Sequence, residues 1–273
     1  IAKESVHPTP IVVNLENSGE NSYLHVEVHA GAFSKAQVVL IHDTTGNVNG
    51  SMLSIVGDQA DLTMLSVIDA DLAVTQHLHW FTEVGRDANF LGLSITLGGG
   101  VIRTVPMVTY RAPGGKAQML GAFLLTGRQF QEHRILVDHT EPHCTSNVIY
   151  KGALSGEGAH SVWIGDVLVR REATGIETYE LNRNLLLTDG PRADSVPNLE
   201  LETGDVVSAG HASATGRFDD EQLFYLQSRG IPEATARQLV VRGFFVEVLN
   251  KIDDPDLRGS LMHRIESKLG IVD

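Results

Sequence analysis

The sequence predicts a mainly β protein, a parallel β-helix followed by a small C-terminal helical domain. Three observations support this fold class. Short apolar or alternating runs, separated by Gly, Asp, Asn and Pro, follow one another from about Ser22 to Val207. Similar runs return after roughly 20 to 30 residues, the length of one solenoid coil. Helical periodicity with clear start and stop signals is confined to the end of the chain.

The β region consists of strands whose apolar residues alternate or cluster. Five runs carry this pattern, at positions 24–28, 38–41, 62–68, 91–97 and 185–187. Further on, leucine alternates with glutamate over 199–202, as in an exposed edge strand. The pair Gly204 and Asp205 then predicts a turn into a second short strand at 206–207.

The recurrence of similar runs favours a β-helix over a two-sheet sandwich. Six related segments start at Ala36, Ala60, Ala88, Ala117, Ala159 and Arg183. A sandwich would place strands about every 8 to 12 residues and join many of them by hairpin turns such as Asn-Gly. The chain contains that dipeptide once, at Asn49-Gly50. The sandwich therefore stays open as the alternative, and the β-helix is the prediction for residues 1–217.

Residues 218–273 are predicted to form three helices. Asp219 or Asp220 caps the first, which runs through Ser228 and ends at Gly230. Pro232 opens the second in its first turn. The apolar face predicted for the second helix comprises Ala236, Leu239, Val240, Phe244 and Val248. The Asp-Asp-Pro segment 253–255 separates it from a third, which carries Leu257, Leu261, Ile265 and Leu269 and stops at Gly270. So small a unit must pack on the β region, on itself or on a partner.

Composition excludes several classes of function. The formal net charge is −13, which argues against a nucleic-acid partner because binding of phosphates requires clustered Lys and Arg. No apolar run is long enough for a membrane helix, so we expect no membrane partner. The single Cys144 cannot form an internal disulfide, and a cytoplasmic location is expected. The chain begins with Ile1, and we expect a preceding N-terminal piece.

Signatures of catalysis are absent from the sequence. The glycine run 98–100 lacks the Gly-Lys-Ser/Thr that completes a phosphate-binding loop, and neither G-x-S-x-G nor H-E-x-x-H occurs. Two groups of metal-ligating residues stand out: His77 with His79, and His139 with His143 and Cys144. Neither supplies a full ligand set at tight spacing. Hydrogen bonding is therefore the prediction for His139 and His143.

One histidine lies among small neighbours, which leave its imidazole open to a ligand or partner. His211 is flanked by Gly210 and Ala212, and the local pattern predicts a small-residue turn. A histidine that only makes hydrogen bonds is the alternative interpretation.

Half of the chain resembles the SufB/SufD family. The C-terminal segments that carry the resemblance are PNLE (197–200), DV (205–206), His211, GR (216–217), DEQLFYL (220–226) and SRGI (228–231). Upstream, DH (138–139), Cys144, Ser146, YKG (150–152), Thr178 and NRNLLL (182–187) are similar to the β region of the family. The match is to the SufD branch. The SufB branch typically has a C-D-S-like segment where this chain has LLTD (186–189), and a glutamate where it has Ala212.

The resemblance implies a right-handed parallel β-helix, with a helical segment before the present N-terminus. It implies a non-catalytic scaffold subunit of the SUF iron–sulfur cluster assembly complex. Such a subunit pairs with a SufB-like subunit through the β-helix and binds a SufC-like ATPase through the C-terminal helices. No cofactor is expected to be bound permanently by this subunit. A transient iron–sulfur cluster, and a reduced flavin at the level of the complex, are expected instead.

Within the family, the resemblance makes His211 the candidate transient cluster ligand at the SufB interface. Family members often have a cysteine two residues before this histidine, where this chain has Ala209. If His211 helps to hold a cluster, the thiolates must come from the partner.

Three alternatives remain open at this point. A SufB-type primary scaffold is the alternative within the family, and a homodimer through the β-helix is compatible with a SufD-like protein on its own. A β-helix carbohydrate-active enzyme would use grouped carboxylates, for which Asp58, Asp61, Asp69 and Asp71 are the candidates.

Overall fold

The computed structural model describes residues 1–17, 19–218, 220–252 and 254–270. Within them the chain forms fifteen strands followed by three helices. The strands are β1 (Ile11–Glu16), β2 (Asn21–Ala30), β3 (Lys35–Asp43), β4 (Asn47–Val56), β5 (Asp61–Ile68), β6 (Thr75–Val84), β7 (Asn89–Thr96), β8 (Val101–Tyr110), β9 (Lys116–Thr126), β10 (Phe130–His139), β11 (Thr145–Ser155), β12 (His160–Val169), β13 (Ile176–Leu186), β14 (Arg192–Leu201) and β15 (Val206–Arg217). The helices are α1 (Asp220–Ser228), α2 (Glu233–Leu249) and α3 (Pro255–Lys268).

The strands stack into a parallel β-solenoid of about seven turns, which confirms the predicted β-helix. The odd-numbered strands form one sheet in the order β1-β3-β5-β7-β9-β11-β13-β15, and the even-numbered strands form the other. Lys35 pairs with Asp61 and Thr145 pairs with Glu177, so one coil takes 26 residues early in the chain and 32 later. Each coil contributes one strand to each sheet, and the side chains between the sheets form the core.

The predicted repeats are in register only in part. Asp61 pairs with Asn89, so the segments at Ala60 and Ala88 are equivalent. Ala36, in contrast, pairs with Leu62, and the segment at Ala159 begins a strand of the other sheet. The likeness is approximate because a small residue precedes the strands of both sheets. The Asn49-Gly50 dipeptide is not a hairpin turn but lies inside β4.

Two strand predictions near the C-terminus had different outcomes. Residues 199–201 end β14, which is the edge strand of its sheet, as predicted. The short strand at 206–207 is wrong, because β15 continues to Arg217 and pairs with β13 along its length. His211 therefore lies in a strand and not in a turn. Ala, Gly and Ser have weak β propensity, so the sequence did not reveal a strand that its neighbour supports.

Two apolar clusters stabilise the molecule. The first fills the interior of the coils, and its largest fully buried side chains include Trp163, Tyr150, Phe123, Met52 and Leu62. The second lies between the outer face of the odd-numbered sheet and the helices. Its members include Val39, Leu65, Leu93 and Leu120 from the sheet and Val241, Phe245, Leu261 and Ile265 from the helices. The helices pack on the β region, which is one of the three options that their small size left open.

The helix boundaries agree with the start and stop signals in the sequence. The buried face of α2 differs from the predicted one. Gly230 and Gly270 follow α1 and α3 with φ of 83° and 63°. Pro232 is the N-cap of α2 and precedes its first turn, and Asp219, one of the two proposed caps of α1, lies outside the described residues. The buried residues of α2 are Ala236, Val241, Phe245, Val248 and Leu249. Leu239 is exposed, because α2 is apolar on several sides and contact with the sheet selects one of them.

The strands end at Arg217 and the helices begin at Asp220, while the division into two domains at 217 stays a prediction. No helix in the described part of the chain is long and apolar enough to cross a membrane.

Candidate functional site

His211 lies on the inner face of the last coil. It pairs with Glu180 of β13, and paired residues of neighbouring parallel strands point to the same face of a sheet. Glu180 is buried inside the solenoid, so the His211 side chain belongs to the same interior row. Because β15 is an edge strand, nothing in the described chain stacks above this row, and His211 is exposed.

The surroundings of His211 leave its ring accessible. Gly210 and Ala212 flank it, and no hydrogen bond or ion pair engages the ring among the described residues. The preceding inner-face position of β15 is Ala209, which supplies no thiolate next to His211. Cys144 is buried, and burial raises the pKa of its thiol to about 11. This chain can thus offer one imidazole nitrogen to a metal here, but no sulfur ligand.

Directly below His211, Glu180 is a buried carboxyl group without a partner. Its residue is 1% exposed, and neither carboxylate oxygen receives a hydrogen bond from the described residues. Burial raises the pKa of Glu180 to about 8, with a smaller contribution from the negative charge of Asp166. Across the interior, Gly165 of β12 makes room for it: a Cβ atom there would lie 2.0 Å from Oε2 of Glu180.

A small polar network continues along the same inner face. Asn184 Nδ2 donates to Asn182 Oδ1 at 2.7 Å and contacts Ser195 Oγ at 3.1 Å. Ser195 Oγ in turn donates to Asn182 Oδ1 at 2.6 Å. Asn184 also reaches Thr215 of β15 at 3.3 Å, which ties the last coil to the one below it.

An aromatic layer separates this polar end from the rest of the interior. The rings of Tyr150 and Trp163 lie 6.5 Å apart, and both residues are buried. The hydroxyl of Tyr150 and Nε1 of Trp163 have no hydrogen-bond partner among the described residues. The interior of the last coils and of the coil below them thus contains two further polar atoms without partners.

Comparison with known proteins identifies the family. Residues 13–244 match the family described as "SUF system FeS cluster assembly, SufBD core domain". The chain belongs to the SufBD family. It is 49% identical to the iron-sulfur cluster assembly SufBD family protein Rv1462 of Mycobacterium tuberculosis, over 98% of this chain and 69% of that protein. The corresponding Mycobacterium leprae protein ML0594 is 48% identical over 97% of this chain and 69% of its own length.

The resemblance found in the sequence is thereby confirmed. The iron-sulfur cluster assembly protein SufD of Escherichia coli is 28% identical over 68% of this chain and 44% of its own length, which supports the SufD branch. The proteins that this SufBD chain resembles are named as assembly proteins of the SUF system. The polar last coil accordingly lies within the matched SufBD core domain.

The other histidines singled out in the sequence are structural where the contacts are defined. His139 Nε2 hydrogen bonds with Ser146 Oγ at 2.9 Å, and its ring stacks on Tyr110. Burial lowers the pKa of His139 to about 4, so it is neutral. His143 occupies a turn with φ of 58°. The rings of His77 and His79 are 4.6 Å apart, and no group of three or more metal-ligating side chains occurs among the described residues.

The four aspartates considered for a carbohydrate-active enzyme do not gather at one site. Asp58 accepts a hydrogen bond from the backbone N–H of Arg86, and Asp69 pairs with Arg264 and Lys268 of α3. A groove of about 1070 Å³ follows the starts of the odd-numbered strands, and of the four aspartates only Asp61 lines it. This arrangement gives no support to paired-carboxylate chemistry.

The helices of this SufBD chain are anchored by one side and expose the other. Lys151 of β11 is buried, and its Nζ donates to the carbonyl of Phe244 at 3.0 Å and pairs with Glu247 at 2.7 Å. On the outer side, four apolar residues are exposed: Phe224 and Tyr225 of α1, and Leu239 and Val246 of α2.

Sequence reasoning found His211 and missed Glu180, Gly165 and the asparagines. A signal was present, since Glu180, Asn182 and Asn184 alternate with outward-facing residues in β13. Interior positions of a solenoid are normally apolar, so three polar residues at alternate positions indicate a specialised coil. The strand was recognised only from position 185, and its inner face was therefore not assigned.

Proposed function

We propose that this chain is a non-catalytic scaffold subunit of a SUF iron–sulfur cluster assembly complex. It pairs with a SufB-like subunit through the last coils of the β-helix and binds a SufC-like ATPase through the C-terminal helices. The observation that carries the proposal is the exposed, unpartnered His211 at the uncovered end of a SufBD solenoid.

The uncovered end is suited to pairing with another β-helix. β14 and β15 are edge strands, and the outward backbone groups of an edge strand can pair with a further strand. Val196, Leu201 and Val207 are exposed on these two strands. A SufB-like partner that stacks here would cover apolar surface and enclose His211. In its absence, a second copy of this chain would use the same edges, giving a homodimer.

The cluster is the cargo of this complex and not a resident cofactor. His211 supplies one imidazole, and nitrogen ligands at iron–sulfur centres normally supplement thiolates. The described residues offer no thiolate beside it, since Cys144 is buried elsewhere in the solenoid. The SufB-like subunit must therefore supply sulfur ligands. We extend the proposal to a reduced flavin at the level of the complex and to a cytoplasmic location, for which the single buried cysteine is the support.

The exposed side of the helices is the proposed surface for the SufC-like ATPase. The inner faces of α2 and α3 are already occupied by the odd-numbered sheet. Phe224 and Tyr225 remain 72% and 56% exposed on α1, which is unusual for two adjacent aromatic residues. A partner that buried them would use them as anchors, because aromatic side chains are enriched at the energetic centre of interfaces.

The proposal is tested by co-expression of the complete protein with SufB-like and SufC-like subunits from the same source, followed by anaerobic affinity purification. Iron and sulfide in the purified complex are measured for the wild type and for His211→Ala. The double variant Phe224→Ala/Tyr225→Ala tests the ATPase surface. Tyr23→Ala is the matched control, since Tyr23 is an exposed aromatic residue at the other end of the solenoid.

Each part of the proposal has its own expected result. The wild type and Tyr23→Ala retain both partners, the helix double variant loses the ATPase but keeps the SufB-like subunit, and His211→Ala retains both partners with less iron and sulfide. A wild-type chain that co-purifies with neither subunit would overturn the proposed function. Unchanged iron and sulfide content in His211→Ala would be consistent with the scaffold role but would refute the role of His211 as a cluster ligand.

A further inference from the structure

Glu180 requires an explanation that the scaffold role alone does not give. Buried carboxyl groups in folded proteins are almost always hydrogen bonded or paired, because transfer of the group out of water is costly. Both oxygens of Glu180 lack a partner among the described residues, and the residue is 1% exposed. An apolar residue at this position would fill the interior without that cost, so the carboxyl group indicates a ligand that it meets there.

The surroundings of Glu180 are arranged around the carboxyl group. Gly165 faces it across the coil, and a side chain of any size there would collide with Oε2. On the other side, its register partner is His211, one strand further along the stack and on the same inner face. Neighbouring strands lie about 4.8 Å apart, which makes the two residues direct neighbours on the inner face.

We infer that Glu180 and His211 together bind a divalent first-row metal ion at the open end of the solenoid. Carboxylate and imidazole are the donors that Fe²⁺ accepts in non-haem sites, and neither donor is specific to a sulfide cluster. That the ion is Fe²⁺ rests on the proposed function. The chain would then hold iron as an ion, before or beside the thiolate ligands of its partner.

The charge balance of the site is favourable. On binding, the Glu180 carboxyl group releases its proton to solvent and the carboxylate is neutralised by the ion, as metal ligands generally must be deprotonated. The exposed edge at His211 provides the route of entry. Two protein ligands make a weak site, and water or a partner subunit completes the coordination. The site is thus strongest in the assembled complex and measurable in the chain alone.

The test is a titration of the full chain with Co²⁺, a spectroscopic substitute for Fe²⁺, under anaerobic conditions. The background carries His25→Gln and His29→Gln, which removes an exposed histidine pair that shares Glu27. On it are placed Glu180→Gln, His211→Ala and the double variant. Glu177→Gln is the matched control, because Glu177 lies on the outer face of the same strand. Gly165→Ala provides a second route to the same site, since the added Cβ would meet both Oε2 of Glu180 and, at 2.3 Å, the ring of Trp163, so its melting temperature is measured as well.

We expect Glu180→Gln, His211→Ala and Gly165→Ala each to weaken cobalt binding at least tenfold, and Glu177→Gln to leave it unchanged. The double variant should bind at least as weakly as either single variant, since it removes both protein ligands of one site. Glu180→Gln is expected to fold, because the amide is isosteric and uncharged, and its melting temperature verifies this. Wild-type affinity in a folded Glu180→Gln protein would overturn the inference.

The outcome is separable from that of the proposed function. Cobalt binding that depends on Glu180 and His211, in a chain that recruits neither subunit, would support the metal site and refute the scaffold. Co-purification of both subunits, with cobalt binding that does not depend on Glu180, would support the scaffold and refute the metal site.

Discussion

The middle coils and the last coil of this solenoid share one backbone plan and have different interiors. In the middle coils the inner face is mostly apolar, as at Leu62 and Phe123, and buried polar residues such as Gln131 and His133 are hydrogen bonded there. In the penultimate strand of the odd-numbered sheet the equivalent row carries Glu180, Asn182 and Asn184. Among the described residues, seven of the eleven buried polar atoms without a partner lie between His139 and Asn184.

This difference shows how a solenoid combines stability with a functional site. Each coil contacts only its neighbours, so the stability of the molecule is close to a sum of local terms. A polar interior in the last coils therefore weakens those coils without affecting the others. An interior row is open to solvent or to a partner only at an end of the stack, and the last coils lie at one of its two ends. The polar coil is thus both tolerated and accessible because it lies at an end of the stack.

A large effect that tests this comparison is expected from the loss of an interior side chain. Leu62→Ala should destabilise the chain by about 3 kcal/mol, because it leaves a cavity in a closely packed coil. Leu199→Ala, at the half-buried inner face of β14, should cost less than about 1 kcal/mol. Urea denaturation of the two matched variants measures the contrast. Equal losses would show that the last coil is packed as tightly as the middle.

A smaller effect is expected at the junction between the solenoid and the helices. Glu247→Gln leaves the buried ammonium of Lys151 without its carboxylate, and we expect a loss of about 2 kcal/mol, below the usual range for a fully buried pair because Glu247 is half exposed. The matched control is Glu233→Gln, which removes an exposed pair with Arg237 and should cost about 0.3 kcal/mol. Hydrogen exchange of α2 reports both changes. Unaltered protection in Glu247→Gln would refute the anchor.

Glu180 predicts an unusual dependence of stability on pH in the absence of metal. Its folded-state pKa of about 8 lies above the ordinary carboxyl value of 4.5, so the native state retains a proton that the unfolded state loses. The contribution of this group to stability therefore decreases as the pH rises from about 5 to about 8. Glu180→Gln should remove that decrease, which is on the order of 4 kcal/mol over these three pH units.

The measurement is chemical denaturation of the wild type and Glu180→Gln in the presence of a chelator, at several pH values across this window. The wild type alone should lose stability towards pH 8, and Glu177→Gln should behave as the wild type does. Parallel pH profiles for the wild type and Glu180→Gln would mean that the carboxyl group is solvated in the native state.

Much of the fold could be predicted because the coils repeat and because the helices have start and stop signals in the local sequence. The run 24–28 corresponds to an interior row, whereas Leu93, Ile95 and Leu97 of the run 91–97 face the helices from the outer side of the odd-numbered sheet. Gly230 and Gly270 ended their helices as predicted. The register could not be predicted, because a two-residue shift between Ala36 and Ala60 preserves the alternation of faces. The buried face of α2 depends on contact with the odd-numbered sheet and not on its own sequence.

The candidate site was predictable only in its exposed half. His211 was noticed because its neighbours are small, which is a local property. Glu180 lies 31 positions earlier, and its relation to His211 exists only through the pairing of β13 with β15. The role of Gly165 depends on Oε2 of Glu180, an atom that lies across the interior. Such long-range partners are set by the coil length, which varies along this chain.

Only a small effect on stability is expected for His211→Ala, and the variant is informative for that reason. His211 is exposed on an edge strand and has no hydrogen-bond partner among the described residues, so its loss should change the free energy of unfolding by less than about 0.5 kcal/mol. Urea denaturation checks this, with Ser213→Ala on the same face as the control. A loss above about 1 kcal/mol would mean that the imidazole supports the last coil. A loss within the expected range would mean that the packing of the last coil does not depend on the imidazole.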